Sequence, residues 1–373
     1  PGDHTNWERA RTIPLGELWR VKQRRRERLV MVARERLAWQ LRRRGASPTV
    51  VRQADDMLRP DILTIGFARR FATYKRATLL FRQPERLVRL LTDEERPIQF
   101  IFSGKAHPAD SPGKELIQEI ARFSQGTNAH QRRVFLEDYE MGLARLLVSG
   151  CDVWLNAPRR PMEASGTSGM KAAINGTLNL SIPDGWWVEG YTPEVGWSIG
   201  TGELSADADE QDAIDCDALF NLLEQEIIPM FYRRDANDLP REWAERMRAS
   251  IAVLGAEFNT HRMVQDYARS SYFPAHVGSS VLAEDHHARA RELSEWRARV
   301  RNAWPGVSLR SEVTVPPVPH VGDSVEVTVH AQLAGLSPDE VMVEILAGHP
   351  GPDGMPVGGA IPAVHVDTDG NAH

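Results

Sequence analysis

The chain has 373 residues, of which 42% are hydrophobic and 26% are charged, and its formal net charge is -6. This balance is typical of a globular protein with room for two or three domains, and the acidic excess argues against bulk nucleic-acid binding. No apolar run approaches the roughly 18 to 20 residues that span a bilayer, and the first residues lack the apolar segment of a secretory signal.

Cys151 and Cys216 have neither a CxxC spacing nor a neighbouring histidine pattern. The sequence therefore predicts no metal site and no disulfide framework, and a reducing, cytoplasmic setting is the default expectation. The chain starts at Pro1 and stops at VDTDGNAH, soon after a β-like stretch, and both features lead us to expect a fragment.

The segment Val21 to Arg44 is locally very basic. Apolar residues recur in it near helical spacing, which predicts an amphipathic helix whose arginines form a solvated face. The predicted inner face consists of Leu29, Val30, Val32, Ala33, Leu37 and Leu41.

From Asp61 onward, short apolar runs alternate with amphipathic segments. DILTIGFA, RPIQFIFSG, RRVFLEDY and CDVWLN predict strands, and YKRATLLFRQPERLVRLL, GKELIQEIARFS and MGLARLLVSG predict the helices between them. TLNLSIPDGWW and GWSIG predict further strand-like segments. Alternation at this spacing indicates an α/β fold with a parallel, Rossmann-like sheet.

Ligands of such sheets bind beyond the carboxyl ends of the strands. The segments at those ends are ARRFATYKR, SGKAHP, LEDYE and NAPRRPMEASG. The chemically rich segments are therefore predicted to meet at one edge of the sheet.

The stretch from Ser165 to Gly169, SGTSG, precedes a predicted helix and presents backbone N–H groups with little side-chain obstruction. A helix N-terminus of this kind favours an anion such as phosphate, although a simple helix cap has the same appearance. Lys171 follows among apolar neighbours, which we expect to favour its neutral amine by desolvation. A neutral amine next to a phosphate cradle fits pyridoxal 5′-phosphate, and a surface lysine is the alternative.

Arg69, Arg70, Lys75 and Arg76 follow the first predicted strand. Cations gathered at a ligand edge need an anion, so Arg70 and Lys75 are predicted to bind phosphate. An exposed helix face is an alternative explanation for Arg76. Glu163 is either an acceptor for sugar hydroxyls or an acidic residue favourable to the following helix.

Taken together, the segments EASGTSGMKAAINGT, DGWW, FARRFATYKR, SGKAHP and FLEDYEMGLARLLVSGCDVWLN resemble the C-terminal half of the α-glucan (glycogen, starch, maltodextrin) phosphorylases, in a shorter bacterial-type branch. The resemblance covers roughly residues 7–274. It implies the second, cofactor-carrying Rossmann-like domain of a glycosyltransferase-B type fold. The implied reaction is reversible phosphorolysis, in which inorganic phosphate attacks the terminal α-1,4-linked glucose of a glucan and releases glucose 1-phosphate.

Residue roles also follow from the resemblance. Lys171 matches the lysine that holds pyridoxal phosphate as a Schiff base, and Thr167 and Ser168 match backbone donors to the cofactor phosphate. Arg69 stands where many family members have a lysine near that phosphate. Arg70 and Lys75 match the substrate-phosphate cations. The glucosyl hydroxyls are assigned to Glu163, Ala164, Ser165 and Gly166.

The resemblance implies a division into 1–60 (a helical segment linking from an absent N-terminal domain), 61–275 (the catalytic domain), 276–306 (a helical connector) and 307–373 (an incomplete β-sandwich-like domain). Glu140 departs from the family pattern, because the longer phosphorylases have an arginine after the tyrosine. One cation for the cofactor phosphate is therefore either missing or supplied elsewhere, with Arg159 and Arg160 as the candidates.

Two alternatives stay open: a nucleotide-sugar glucosyltransferase of the glycogen synthase type, and an inert folded fragment. No nucleic-acid or membrane partner is expected. The sequence leaves preferred glucan length, regulation and homo-oligomerisation open.

Overall fold

The computed structural model describes residues 7–123, 130–203, 205–316, 318, 320, 322–350 and 356–366. By their internal contacts they fall into two compact units, Pro1–Tyr267 and Ala268–His373. The fourfold division of the chain drawn from the sequence stays a prediction.

The first unit is built on one six-stranded sheet in which every pair of neighbouring strands is parallel. The strand order is β3-β2-β1-β4-β5-β6, the order of a doubly wound nucleotide-binding fold, so the predicted α/β class is confirmed. The strands are β1 Leu63–Phe71, β2 Ile98–Ala106, β3 Arg133–Leu136, β4 Val153–Asn156, β5 Leu178–Ser181 and β6 Gly196–Ser198.

Helices cover both faces of this sheet, and the buried apolar residues form a core cluster on each face. Leu29, Val30 and Ala33 of the first helix pack with Ile101 and Trp154 on one face. The helices of this unit are α1 Leu15–Arg43, α2 Pro48–Arg52, α3 Pro84–Thr92, α4 Ser111–Phe123, α5 Met141–Gly150, α6 Thr167–Ile174, α7 Trp186–Gly190, α8 Ala208–Leu222, α9 Ile228–Tyr232, α10 Arg241–Glu257 and α11 Thr260–Tyr267; a π-helical turn, Leu223–Ile227, joins α8 to α9.

Two predicted elements are wrong in extent. The single helix expected from Tyr74 to Leu91 is two short 3-10 turns, Thr73–Lys75 and Leu79–Arg82, followed by α3, because Arg76 adopts a left-handed conformation and Pro84 starts a new helix. The strand expected from Thr177 to Trp187 ends at Ser181, since Gly185 turns the chain with a φ of +55° and α7 follows.

The expectation of a solvated arginine face on α1 is also wrong in part. Arg26 and Lys22 are buried, and Arg34 donates hydrogen bonds to the carbonyl oxygens of Met57 and Leu58 at 2.8 and 2.9 Å. Other arginines near the end of the helix pair with acidic residues that follow β3: Arg36 with Glu140, Arg43 with Asp138 and Arg44 with Glu137. The chain itself therefore neutralises part of the basic face, while Arg24, Arg25 and Arg28 are exposed as predicted.

The second unit contains a π-helical turn, Ala268–Tyr272, a long helix and two antiparallel strand pairs. The helix is α12 Phe273–Ala303, with a non-helical break at residues 284–287, and the strands are β7 Ser308–Thr314, β8 Glu326–Gln332, β9 Glu344–Pro350 and β10 Pro356–Pro362. The predicted β-rich tail is thus present. The side chains of β7 and β8 are exposed or half-exposed throughout.

Among the residues that the structure describes, no helix is both long and apolar enough to cross a membrane. The order of the first sheet reverses between β1 and β4, and a ligand of a doubly wound sheet binds beyond the carboxyl ends of the strands at that point. The loops after β1 and β4 are therefore where the site is expected.

Candidate active site

Arg69 ties the end of β1 to the end of β4. Its guanidinium donates to the side-chain oxygen of Asn156 and, at 2.7 Å, to the carbonyl of Leu155. Burial lowers the pKa of Arg69 to about 10. Its Nε is buried and has no acceptor among the described residues, so one donor of this cation is unsatisfied.

Arg70, the next residue, differs from Arg69 in its exposure and in its hydrogen-bond partners. Its side chain is exposed, and no carboxylate or carbonyl in the described part of the chain accepts a hydrogen bond from it. It lies opposite Lys105 in the β1–β2 register, which places a second exposed cation at the same edge of the sheet. An anion at this edge would meet positive charge that the chain has not neutralised.

Lys75 and Glu163 are brought together by the fold. Both residues are buried, and the Lys75 ammonium donates a hydrogen bond to the Glu163 carboxylate. The ammonium also lies 4.7 Å from the centre of the Tyr74 ring. The predicted phosphate ligand and the predicted sugar ligand thus form one buried ion pair.

Groups from the turn after β5 and from α7 hold the loop that carries Glu163. The Asp184 carboxylate accepts a hydrogen bond from the Glu163 amide at 2.8 Å, and the Ser165 carbonyl accepts one from the Trp186 amide at 2.8 Å. Ala164 is exposed between these two anchor points. The segment predicted to bind sugar is therefore a loop with a fixed backbone.

The loop turns into α6 at Gly166, whose φ of +94° is one that residues with a side chain rarely adopt. The backbone N–H groups of Thr167 and Ser168 open the helix, and among the described residues neither has an acceptor. The Ser168 hydroxyl accepts a hydrogen bond from the Trp154 indole at 3.2 Å, so β4 positions this helix start. Two open amides at a helix N-terminus are a site for an anion.

Lys171 lies one turn further along α6, and its ammonium donates to the Thr167 hydroxyl at 3.3 Å. The amine and the Thr167 side chain therefore share one face of the helix, at the end where the two amides are open. The expectation that apolar neighbours desolvate this lysine is wrong, because Ala172 and Ala173 point into the core while the Lys171 side chain is exposed. These two neighbours in sequence are on the other face of the helix.

Arg76 is not on an exposed helix face, as one alternative had it. The side chain is buried and forms ion pairs with Asp212 and Asp215 of α8. Arg69 and Arg70 lie at the end of β1, and Lys75 and Arg76 follow it. The fold buries Arg76 in a fully paired position, pairs Lys75 with Glu163, anchors Arg69 and leaves Arg70 exposed.

The part of the chain that contains these site residues is similar to known proteins. The family model for carbohydrate phosphorylases matches residues 39–197, which include Arg69, Arg70, Lys75, Glu163 and Lys171. The chain belongs to the carbohydrate phosphorylase family. It is 43% identical over 344 residues to the glycogen phosphorylase of Mycobacterium tuberculosis (strain ATCC 25618 / H37Rv), with 92% of this chain and 40% of that protein covered.

Two further phosphorylases match this chain with similar identity. A maltodextrin phosphorylase of Thermococcus litoralis is 41% identical over 342 residues, with 92% of this chain and 39% of that protein covered. A glycogen phosphorylase of Aquifex aeolicus is 44% identical over 284 residues, with 76% of this chain and 40% of that protein covered. The chain thus spans about two fifths of the length of these relatives.

The departure from the phosphorylase pattern at Glu140 has a local explanation. The Glu140 carboxylate caps α5 by accepting hydrogen bonds from the Gly142 and Leu143 amides, which hold its pKa below the usual range, and it pairs with Arg36. The suggested replacement cations are engaged elsewhere: Arg159 pairs with Asp212 at 2.7 Å and Arg160 donates to the Gly202 carbonyl. The structure gives no support for either as that replacement.

Sequence reasoning missed Asn156, Asp184 and Trp154, which orient the predicted phosphorylase residues Arg69, Glu163 and Ser168. Asn156 ends β4, and a polar residue at the carboxyl end of a strand beside the switch point is a signal that could have identified it. No metal-binding cluster of three or more His, Cys, Asp or Glu side chains occurs among the described residues.

Proposed function

We propose that this chain forms the cofactor- and phosphate-binding part of an α-glucan phosphorylase. In the proposed reaction, inorganic phosphate attacks the terminal α-1,4-linked glucose of a glucan and glucose 1-phosphate is released, reversibly. The family match, the curated relatives and the arrangement of cations beside an open helix N-terminus support this proposal.

The residues of α6 fit pyridoxal 5′-phosphate. The open amides of Thr167 and Ser168 suit its phosphate, the unpaired Nε of Arg69 is a further donor nearby in the fold, and the exposed amine of Lys171 suits its aldehyde. When bound, the group supplies a phosphate that exchanges a proton with the substrate phosphate. The observation that carries this assignment is that the Lys171 amine reaches Thr167, one of the two residues whose amides are open at the start of the same helix.

The proposed substrate roles fall to the end of β1 and to the loops after β1 and β4. Arg70 supplies the exposed cation for the substrate phosphate, and Lys75 supplies a second cation once it exchanges Glu163 for that phosphate. The loop from Glu163 to Gly166 supplies acceptors and amides for the glucosyl hydroxyls. Ser165 and Ala164 contribute through their backbone, because the loop conformation is fixed by Asp184 and Trp186.

Cofactor capture tests the proposal without relying on turnover. The chain is incubated with pyridoxal 5′-phosphate and desalted, and the retained cofactor is measured by its near-ultraviolet absorbance. We expect retention by the wild type and by Lys105→Ala, which removes another exposed lysine at this edge, and loss of retention in Lys171→Ala. Equal retention in Lys171→Ala contradicts the assignment and favours the nucleotide-sugar glucosyltransferase, which has no need of this lysine.

We propose further that the chain alone does not phosphorolyse maltodextrin, since it spans two fifths of the length of its relatives. Glucose 1-phosphate formed by the purified 373-residue chain with added cofactor would overturn this. We also propose a cytoplasmic setting and association into homo-oligomers.

A further inference from the structure

Arg76 has an unusual backbone for a residue with a long side chain. It ends the 3-10 turn Thr73–Lys75 with φ +48° and ψ +49°, in the left-handed region. L-residues other than glycine adopt this conformation only where surrounding contacts hold them in it. The turn that presents Lys75 therefore depends on whatever holds Arg76.

The Arg76 side chain is buried and its guanidinium is held from two sides. On one side it donates to the carbonyls of Ala157 and Pro158, at 2.9 and 2.8 Å, in the loop after β4. On the other side it pairs with Asp212 at 2.9 Å and with Asp215 at 2.7 Å, both on α8. A planar fork that satisfies four acceptors in fixed directions has little freedom to move.

Arg159 completes this group of charges. Its guanidinium pairs with the second oxygen of Asp212 at 2.7 Å, and its backbone N–H donates to the Tyr74 carbonyl at 2.6 Å. Two arginines thus balance two aspartates, so the group can be buried without an uncompensated charge. It links α8, the turn before Arg76 and the loop that leads to Glu163.

We propose that Asp212 and Asp215 are positioning residues for phosphate binding. They act through Arg76, which fixes the turn Thr73–Lys75 so that the Lys75 ammonium lies beside Glu163, at the edge where phosphate is proposed to bind. This inference rests on the proposed function. It extends the site to α8, which contains none of the predicted cofactor or substrate ligands.

The test uses two measurements on the full chain carrying Asp212→Asn or Asp215→Asn. The first is the dissociation constant for inorganic phosphate by calorimetric titration, which we expect to rise roughly ten- to a hundredfold, the usual cost of a small misplacement in a binding group. The second is the rate at which an amine-modifying reagent labels Lys75, mapped by mass spectrometry. We expect this rate to rise severalfold, because the lysine loses its fixed place beside Glu163.

Glu224→Gln is the matched control. It breaks another arginine–carboxylate pair, with Arg86, in the π-helical turn that continues α8, away from the turn at Lys75. We expect it to change neither the phosphate constant nor Lys75 labelling. Lys22 serves as an internal marker, since it is buried and becomes labelled only when the unit unfolds.

The outcomes separate the inference from the function on which it rests. Wild-type chain that fails to bind phosphate overturns the proposed function and this inference with it. Phosphate binding by the wild type, with unchanged phosphate affinity and unchanged Lys75 labelling in both variants, overturns the inference alone. If Asp215→Asn unfolds, as reported by Lys22 labelling, Asp212→Asn decides the question, because Asp215 still pairs with Arg76 in that variant.

Discussion

Charged side chains occupy both edges of the parallel sheet, and the two edges differ in how completely the chain satisfies them. At the amino edge, Asp152 accepts from Arg26 at 2.5 Å and from the Thr64 amide at 2.9 Å, and Lys22 donates to the Thr177 hydroxyl at 2.6 Å. At the carboxyl edge, Arg70 and Lys171 are exposed. Charges whose partners are all internal have no group left for a ligand, and removing one partner leaves an uncompensated buried charge, whereas charges left open are available to a ligand.

The buried pair Lys75–Glu163 shares a feature with each of the two groups of charges, the internally paired ones and the exposed ones. It is internal and paired, as Arg26–Asp152 is, but it is at the edge where the exposed cations lie. We therefore expect its partners to be exchangeable for ligand groups, whereas those of Asp152 are not. Four substitutions test this contrast, in decreasing order of expected effect.

Asp152→Ala should have the largest effect on stability. It leaves the Arg26 guanidinium buried without its carboxylate, which typically costs about 3–5 kcal/mol in the free energy of unfolding. Urea denaturation of the chain measures this loss. Asp209→Ala, which removes an exposed partner of Arg82, is the control and should leave the stability nearly unchanged. Similar losses in both variants would contradict the contrast.

Lys22→Met should show the next largest effect, as a change in how the free energy of unfolding depends on pH. Burial lowers the pKa of Lys22 from 10.5 to about 8. Below pH 8 both the folded and the unfolded chain carry the proton, so the penalty for burying the charge is complete. Between pH 8 and 10.5 the unfolded chain binds more protons, and the folded state therefore gains stability as the pH rises.

The gain amounts to about 3 kcal/mol, from the size of the pKa shift. It should appear in the difference between the unfolding free energies of the wild type and Lys22→Met, measured at intervals from about pH 7 to 10.5. Lys105→Met, which removes an exposed lysine, is the control substitution. A flat difference for Lys22→Met would mean that this lysine is not desolvated.

Glu163→Gln should cost less, about 1–3 kcal/mol, because the amide oxygen still accepts from Lys75 and the Tyr74 ring remains nearby. Inorganic phosphate should then stabilise the variant more than the wild type, since the anion takes the place of the lost carboxylate. Thermal denaturation with and without phosphate measures both effects. Equal stabilisation of the two proteins would count against an exchangeable pair.

Arg70→Gln should have the smallest effect on folding, within about 0.5 kcal/mol, since no described residue pairs with this side chain. Arg69→Gln is the neighbouring comparison, and it should cost more because it removes the hydrogen bonds to Asn156 and Leu155. Phosphate titration should show weakened binding in Arg70→Gln. Undiminished phosphate affinity there would remove Arg70 from the proposed site.

The strands and the ligand edge were predictable because they depend on local pattern. Apolar runs such as DILTIGFA are buried whatever their neighbours, and their alternation with helices fixes which ends of the strands meet. The glycines around Thr167 likewise marked the open helix start. The helix from Tyr74 to Leu91 was mispredicted because burial of Arg76, which propensity does not register, decides the backbone there.

The sequence by itself determined the α/β class and the edge of the sheet at which the polar segments lie, and it supplied the residues proposed to hold a phosphate and an aldehyde. Only the tertiary structure decided which of the four cations from Arg69 to Arg76 are paired within the chain and which are exposed. Lys75 meets a carboxylate 88 positions away, and Arg76 meets one 136 positions away. Partners at such separations are chosen by how the strands are ordered and the helices packed, so the state of each charge is a property of the folded chain.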